Sequence, residues 1–111
     1  MSEVALLEKQ LADHKALVER RTMAQRLAAN TDFKKLILEE FCVQECARYA
    51  QSSGDPALTA EQRADALAIA QAAGHLRRYL SVIVQMANAA ENTIPDIEAA
   101  LDEARAEEGD E

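Results

Sequence analysis

The sequence is poor in residues that break helices and in residues that build a large core. Its 111 residues include three glycines, two prolines and no tryptophan, and aromatic residues make up 4% of the total. Residue types that favour helices predominate, so the composition predicts an all-α protein. A chain of this length buries only about 60–65% of the surface that it exposes when unfolded. We therefore expect one domain overall, with a thin core and a stability that is marginal or shared with a partner.

Long apolar runs and catalytic motifs are also missing. No run approaches the roughly 20 apolar residues that a membrane span needs. The opening MSEVALLEKQ has acid where a signal peptide has a basic end and an apolar segment. We therefore expect use in a reducing cytoplasm, without a membrane partner. Because neither a glycine-rich phosphate loop nor a nucleophile motif occurs, we predict no enzyme activity and no cofactor.

The two cysteines are too few for a disulfide framework. Cys42 and Cys46 are four residues apart, and with His14 and His75 they form a set of four potential zinc ligands. Structural zinc sites usually take paired ligands from a turn, and that spacing is missing here. We predict no metal site, and we expect both cysteines to be buried as small hydrophobic residues.

Negative charge is concentrated at the C-terminal end. From Glu91 to Glu111 nine acids stand against Arg105 alone, so this stretch carries the whole net charge of −8. The bases elsewhere alternate with acids, which argues against a basic face and hence against direct binding of nucleic acid. The acidic run is either a solvated end or a segment that docks on a basic partner. No apolar stripe continues beyond Leu101, so we expect the tail to be dispensable for folding.

Spacing and capping signals divide the chain into four predicted segments. The capping signals are Asn30 to Asp32 before the second segment, the turn SSGDP after it, and a capping box of Thr59 with Gln62. Pro95 should not continue a helix without a kink, so we expect Asn92 or Thr93 to cap a short fourth helix. The segments are an N-terminal helix over 1–29, a second helix over 31–51, a long third helix over 59–92, and a short helix with an acidic tail over 93–111.

Ten apolar residues in the second half follow one another at steps of four and three. This is the 3.5-residue repeat of a coiled coil. It predicts a partner helix, either from the same chain folded back or from another copy. The fold prediction is a long helical hairpin or three-helix bundle with coiled-coil character and an acidic C-terminal tail. We call these residues the seam: Ile69, Ala73, Leu76, Leu80, Ile83, Ala87, Ala90, Ile94, Ile97 and Leu101.

A thin core should leave part of the seam unpaired in a monomer, so we predict a homo-oligomer. Within HLRRYL, Arg77 and Arg78 flank the seam, and Tyr79 has the mixed character that suits interfaces. The alternative for HLRRYL is an ordinary solvated helix face. The candidate interface residues are Leu76, Tyr79, Leu80, Ile83, Ala87, Ile94 and Ile97.

Three stretches carry a resemblance to a known group: TDFKKLILEEFCVQECARYAQSSGDPALTAEQR, AAGHLRRYLSVIVQMANAAENTI and ALDEARAEE. Together they cover most of the chain, which resembles small acidic helical proteins of tailed bacteriophages. Cys42 and Cys46 lie where that group is not expected to have cysteine. The matching positions are Asp32, Phe33, Lys34, Lys35, Ala47, Arg48, Pro56, Ala73, Gly74, Leu76, Arg77 and Tyr79.

The resemblance implies a protein encoded among virion-assembly genes, near capsid and portal functions, and it supplies no catalytic residues. We therefore expect a non-enzymatic helical interaction protein that takes part in phage particle assembly or structure. It would act through self-association and through binding to a larger virion protein, in the host cytoplasm during assembly, with the virion as a second expected location. The alternative is a phage-encoded inhibitor of a host nucleic-acid-processing protein that acts through its acidic surface.

Overall fold

A computed structural model describes residues 2–109. Within that range 93% of the residues are helical and no strand occurs. The all-α prediction is confirmed. None of the helices in this range combines the length and the apolar character that crossing a bilayer would require.

Three helical segments make up the described chain. Helix α1 is Glu3–Ala29. Segment α2 covers residues 31–53 and consists of Thr31–Phe33, a π-helical stretch Lys34–Glu45, and Cys46–Ser53. Helix α3 is Ala60–Gly109 and contains 50 residues.

Side-chain caps mark the beginnings of α2 and α3. Asn30 accepts a hydrogen bond from the Phe33 amide at 2.9 Å. Thr59 and Gln62 form the predicted capping box. The Gln62 amide donates to Thr59 Oγ1 at 3.1 Å, and the Thr59 amide donates to Gln62 Oε1 at 2.9 Å. These capping predictions are confirmed, since each side chain satisfies an amide that the first turn leaves free. Gly54 ends α2 with φ −102°, so the turn does not use the positive φ that glycine allows.

The helix predicted to end near Asn92 continues through Pro95 to Gly109, so there is no separate fourth helix. Thr93 donates its hydroxyl to the Ala89 carbonyl oxygen at 3.1 Å instead of capping a new start. A proline inside a helix costs about 3 kcal/mol because it removes one backbone hydrogen bond. Pro95 itself is exposed, whereas Ala90 and Ile97 on either side of it are buried. Packing before and after the proline offsets that cost.

Contacts divide the described chain into two compact units. Unit 1 joins the N-terminal residues up to Ala24 to the residues from Val82 onward, and unit 2 comprises Gln25–Ser81. Helices α1 and α3 contribute to both units, whereas α2 belongs to unit 2 alone. The expectation of one domain overall stays a prediction.

Unit 1 is an antiparallel pair of α1 and α3. Arg105 reaches Glu8 at 3.2 Å, and Arg21 reaches Glu91 at 2.7 Å, so residue numbers rise along α1 as they fall along α3. The α3 side supplies all the buried residues, because α1 has none. Six of the half-buried residues of α1 follow the heptad spacing of the sequence, and Ala5, Leu17 and Ala24 are half-buried beside them. The six are Val4, Leu7, Leu11, His14, Val18 and Arg21.

The C-terminal part of α3 belongs to this pair rather than to a solvated tail. Ala104 is 4% exposed, which extends the seam by one further step of three beyond Leu101. Arg105, the next residue, forms the contact with Glu8. The expectation that nothing is buried beyond Leu101 is therefore wrong. The acids of this stretch remain exposed around a backbone that is held in place.

Unit 2 has a small core between α2 and the first part of α3. Cys42, Cys46 and Ala73 form a buried cluster, and Ile37, Phe41 and Leu76 pack around it. The Cys46 thiol lies 3.6 Å from the Ile69 carbonyl oxygen. Both cysteines are buried, as the sequence predicts.

The π-helical stretch puts the core residues of α2 on one side. The Cys46 amide, at its end, donates to the Phe41 carbonyl oxygen, five residues back. Such bonds give about 4.4 residues per turn, or about 80° per residue. Ile37 and Cys46, nine residues apart, then face almost the same way. At the 3.6 residues per turn of an α-helix they would be about 180° apart.

Candidate interaction surfaces

The seam is largely covered within the chain. In unit 1 its members are buried or half-buried opposite α1, and Ala87 is 0% exposed. In unit 2 Ala73 and Leu76 pack against α2, while Ile69 stays exposed. Of the two partners considered for the seam, the same chain folded back is the one that the structure contains.

The candidate interface residues differ in their exposure within the chain. Ile83, Ala87 and Ile97 are buried within unit 1. Leu76, Leu80 and Ile94 are half-buried. Tyr79 is 59% exposed and is the one candidate interface residue with most of its surface in solvent. Self-association and the seam as its interface stay predictions, and exposed apolar side chains are further candidate surfaces for it.

Exposed apolar side chains offer such surfaces. In α2, Leu36 and Val43 are each more than half exposed although they flank the buried core residues. In unit 1 a solvent-open, mostly apolar cavity of about 250 Å³ lies between α1 and α3. Its lining residues are His14, Leu17, Met86, Ala89, Ala90 and Thr93.

One polar contact in unit 1 is not among the features predicted from the sequence. Arg21 donates to Asn88 Oδ1 at 2.6 Å and to Glu91 Oε2 at 2.7 Å. The hydrogen bond from Arg21, and then its positive charge, lower the pKa of Glu91 below its ordinary value. A signal was present, because Arg21 is seven residues after His14 on the α1 heptad. A base at an inward position is a candidate for pairing with an acid of the facing helix.

The four potential zinc ligands are divided between the two units. His14 belongs to unit 1, where its Nδ1 lies 2.7 Å from the Gln10 carbonyl oxygen. His75 is exposed in unit 2, and Cys42 and Cys46 are in that unit's core. Among residues 2–109 no group of three or more histidine, cysteine, aspartate or glutamate side chains could hold a metal ion. The absence of a metal from the working protein stays a prediction.

The arrangement defines a class of architecture, namely an all-α chain whose longest helix pairs with α1 in one unit and with α2 in the other. No protein-family model, curated protein or solved structure matches the chain.

Proposed function

We propose that this chain is a non-enzymatic helical interaction protein that takes part in phage particle assembly or structure. It would self-associate and bind a larger virion protein, in the host cytoplasm during assembly and in the particle. The phage setting rests on the sequence resemblance. The observation that carries the interaction role is the set of large apolar side chains left in solvent on ordered helices.

Exposed apolar side chains on both units support this role. Leu6, Met23 and Met86 are exposed in unit 1, and Leu36 and Val43 are exposed in unit 2. Isolated exposed apolar residues are common on protein surfaces, but a thin-cored protein gains most from covering them. A larger virion protein that covers such side chains would add burial that the chain lacks on its own.

The test is quantitative mass spectrometry of virions and proheads purified from the source phage. It measures the amount of the chain relative to the major structural proteins. We expect the chain in proheads or virions at a defined copy number. The matched variant is Leu36→Asp with Val43→Asp, compared with Gln44→Asp and Gln51→Asp at exposed positions of the same segment. Loss of the chain from particles only with the first pair would support an apolar interface on α2. Absence of the unaltered chain from both kinds of particle would refute the proposal.

A second candidate is favoured by the exposed acids on the ordered end of α3. Asp102, Glu103, Glu107 and Glu108 are exposed on a helix that is held by the burial of Leu101 and Ala104. A fixed row of carboxylates can occupy a basic site on a host nucleic-acid-processing protein. Capture of such a protein from infected cells, lost when these four acids become amides, would favour inhibition over assembly.

A further inference from the structure

The two helices of unit 1 contribute unequally to the burial between them. Helix α1 has no buried residue, whereas on α3 Ala87 is 0% and Leu101 is 3% exposed. Of the six heptad residues of α1, His14 and Arg21 are polar, and an open cavity lies beside His14. The apolar contact that holds α1 is therefore thin. Local opening of such a contact needs less free energy than global unfolding, and here it would uncover a continuous apolar face of α3.

Two polar contacts fix where α1 pairs with α3. Arg21, whose side chain is 17% exposed, donates to Asn88 and Glu91 at 2.6 and 2.7 Å. Arg105 reaches Glu8 at 3.2 Å near the other end of the pair. Opposite charges at two separate positions specify the antiparallel direction and the register of α1. An α1 helix from a second copy carries the same apolar residues and the same charges, so it fits this face of α3 equally well.

The connection between α1 and α2 is short. Asn30 is the single non-helical residue between Ala29 and Thr31, with φ −67° and ψ 125°. Its side chain accepts a hydrogen bond from the Phe33 amide and so belongs to the start of α2. A change in the two backbone angles of this one residue redirects α1 as a rigid helix. Short connections of this kind favour the exchange of an element between copies, because the exchanged element keeps its contacts.

We propose that two copies of this chain exchange α1, so that α1 of each copy pairs with α3 of the other in the manner of unit 1. This inference rests on the self-association in the proposed function and specifies its surface. The predicted interface residues Ile83, Ala87 and Ile97 then lie between copies and stay buried. Because the exchange is reciprocal, it gives a closed dimer. The contacts are the same in both forms, so concentration decides between monomer and dimer.

Charge reversal at Arg21 and Glu91 distinguishes this exchange from any other association. Arg21→Glu or Glu91→Arg alone places like charges opposite each other, both in the closed chain and in its own exchanged dimer. When the two variants are mixed, the exchanged heterodimer has opposite charges at both contacts. We expect heterodimers to exceed either homodimer on the order of tenfold or more, since like charges in contact disfavour both homodimers. Arg21→Glu and Glu91→Arg combined in one chain should restore the association of the parent.

The variants are mixed at high micromolar concentration, warmed towards the thermal midpoint so that α1 can exchange, cooled, and separated by native mass spectrometry. The matched control is Lys9→Glu mixed with Asp13→Lys. Lys9 and Asp13 pair within α1, so an exchange of α1 cannot bring the two altered residues together. This control mixture should give heterodimers in the statistical proportion.

Circular dichroism checks that every variant is helical. Should Arg21→Glu or Glu91→Arg fail to fold, Glu8→Arg and Arg105→Glu replace them at the second contact. Both side chains of that contact are 53% exposed, so reversing their charges disturbs the fold less.

The possible outcomes separate this inference from the proposed function. No excess of heterodimers over the statistical proportion in the charge-reversed mixture would overturn the exchange, while self-association through an exposed surface would stand. A parent that stays monomeric at high micromolar concentration would overturn both the exchange and the self-association part of the proposed function. The virion measurement would still test the other part of that function.

Discussion

In both units α3 packs through its 3.5-residue repeat, but the helix that packs against it differs between the two units. In unit 1 the partner is α1, an α-helix whose inner face follows the same steps of three and four. In unit 2 the partner is α2, with core residues at positions 37, 41, 42 and 46 and a π-helical stretch that brings them together. The pitch of each partner thus matches the spacing of its own core side chains: an α-helix where they follow steps of three and four, and a π-helical stretch where they lie at 37, 41, 42 and 46.

An α-helical pitch over Lys34–Glu45 would carry a cost that the π-helical pitch avoids. If Lys34–Glu45 were α-helical with Cys46 held in the core, Ile37 would turn outward. Glu39, seven residues before Cys46, would turn inward, because seven residues are close to two α-helical turns. Burying an unpaired carboxylate costs several kcal/mol, and exposing Ile37 loses its burial. No comparable conflict arises in α1, where the half-buried Arg21 has acceptors on α3.

The largest effect is expected in unit 1 from Leu101→Asp. Leu101 is buried, and its replacement loses apolar burial worth roughly 1.5–3 kcal/mol and adds the desolvation of a charge. We expect a fall in the free energy of unfolding on the order of 4 kcal/mol, measured by urea denaturation. Leu6→Asp, at an exposed position of the same unit, should change it by less than about 1 kcal/mol. Equal losses in both variants would contradict the packing described for unit 1.

The pitch of α2 is tested by comparing two neighbouring aliphatic residues. Ile37→Ala should lower the free energy of unfolding by roughly 1–3 kcal/mol, because Ile37 packs on the core of unit 2. Leu36→Ala should cost less than about 0.5 kcal/mol, because Leu36 lies outward. Thermal or urea denaturation gives both values. A larger loss for Leu36 than for Ile37 would exclude the π-helical register.

Two truncations separate the anchored part of the acidic end from its exposed part. Removing residues 107–111 should leave the thermal midpoint nearly unchanged, because Glu107 and Glu108 are exposed. Removing 104–111 also takes away buried Ala104 and the Arg105–Glu8 contact. We expect it to cost about 1 kcal/mol in the free energy of unfolding, mostly from the buried methyl group. Identical thermal midpoints for the two truncations would mean that Ala104 and Arg105 add no stability, as expected of a solvated tail.

The smallest expected effect concerns pH and the Arg21–Glu91 contact. A carboxyl with a lower pKa in the folded than in the unfolded state stabilises the fold above the unfolded pKa, and that contribution is lost as pH falls through the folded pKa. The thermal midpoint should therefore fall with acid below the ordinary Glu pKa of about 4.3. Arg21→Met should lose part of this pH dependence.

The matched control is Lys9→Met, because Lys9 and Asp13 form an exposed pair within α1 alone. Its pH dependence should follow that of the parent. If Arg21→Met and Lys9→Met gave the same pH profile as the parent, Glu91 would not be stabilised by Arg21 in solution.

Local signals predicted much of the fold, since they act over a few residues. Asn30, Thr59 and Gln62 cap helices as their spacing predicts, and Cys42 and Cys46 are buried. The prediction that a helix ends before Pro95 is wrong, because there the deciding interactions are not local. Its local preference to break a helix is outweighed by packing on both sides, which no short stretch of sequence reveals.

The sequence by itself determined the all-α class, the ends of α1 and the start of α3, and the 3.5-residue repeat, because each follows from propensity, capping or periodicity along one helix. Only the tertiary structure decided that the repeat is covered by the same chain, that α3 continues through Pro95, and that α2 adopts a π-helical pitch. In each of these cases the deciding energy is the burial of side chains between helices distant in sequence. That energy exceeds the local backbone preference, and it exists only once both helices are in contact.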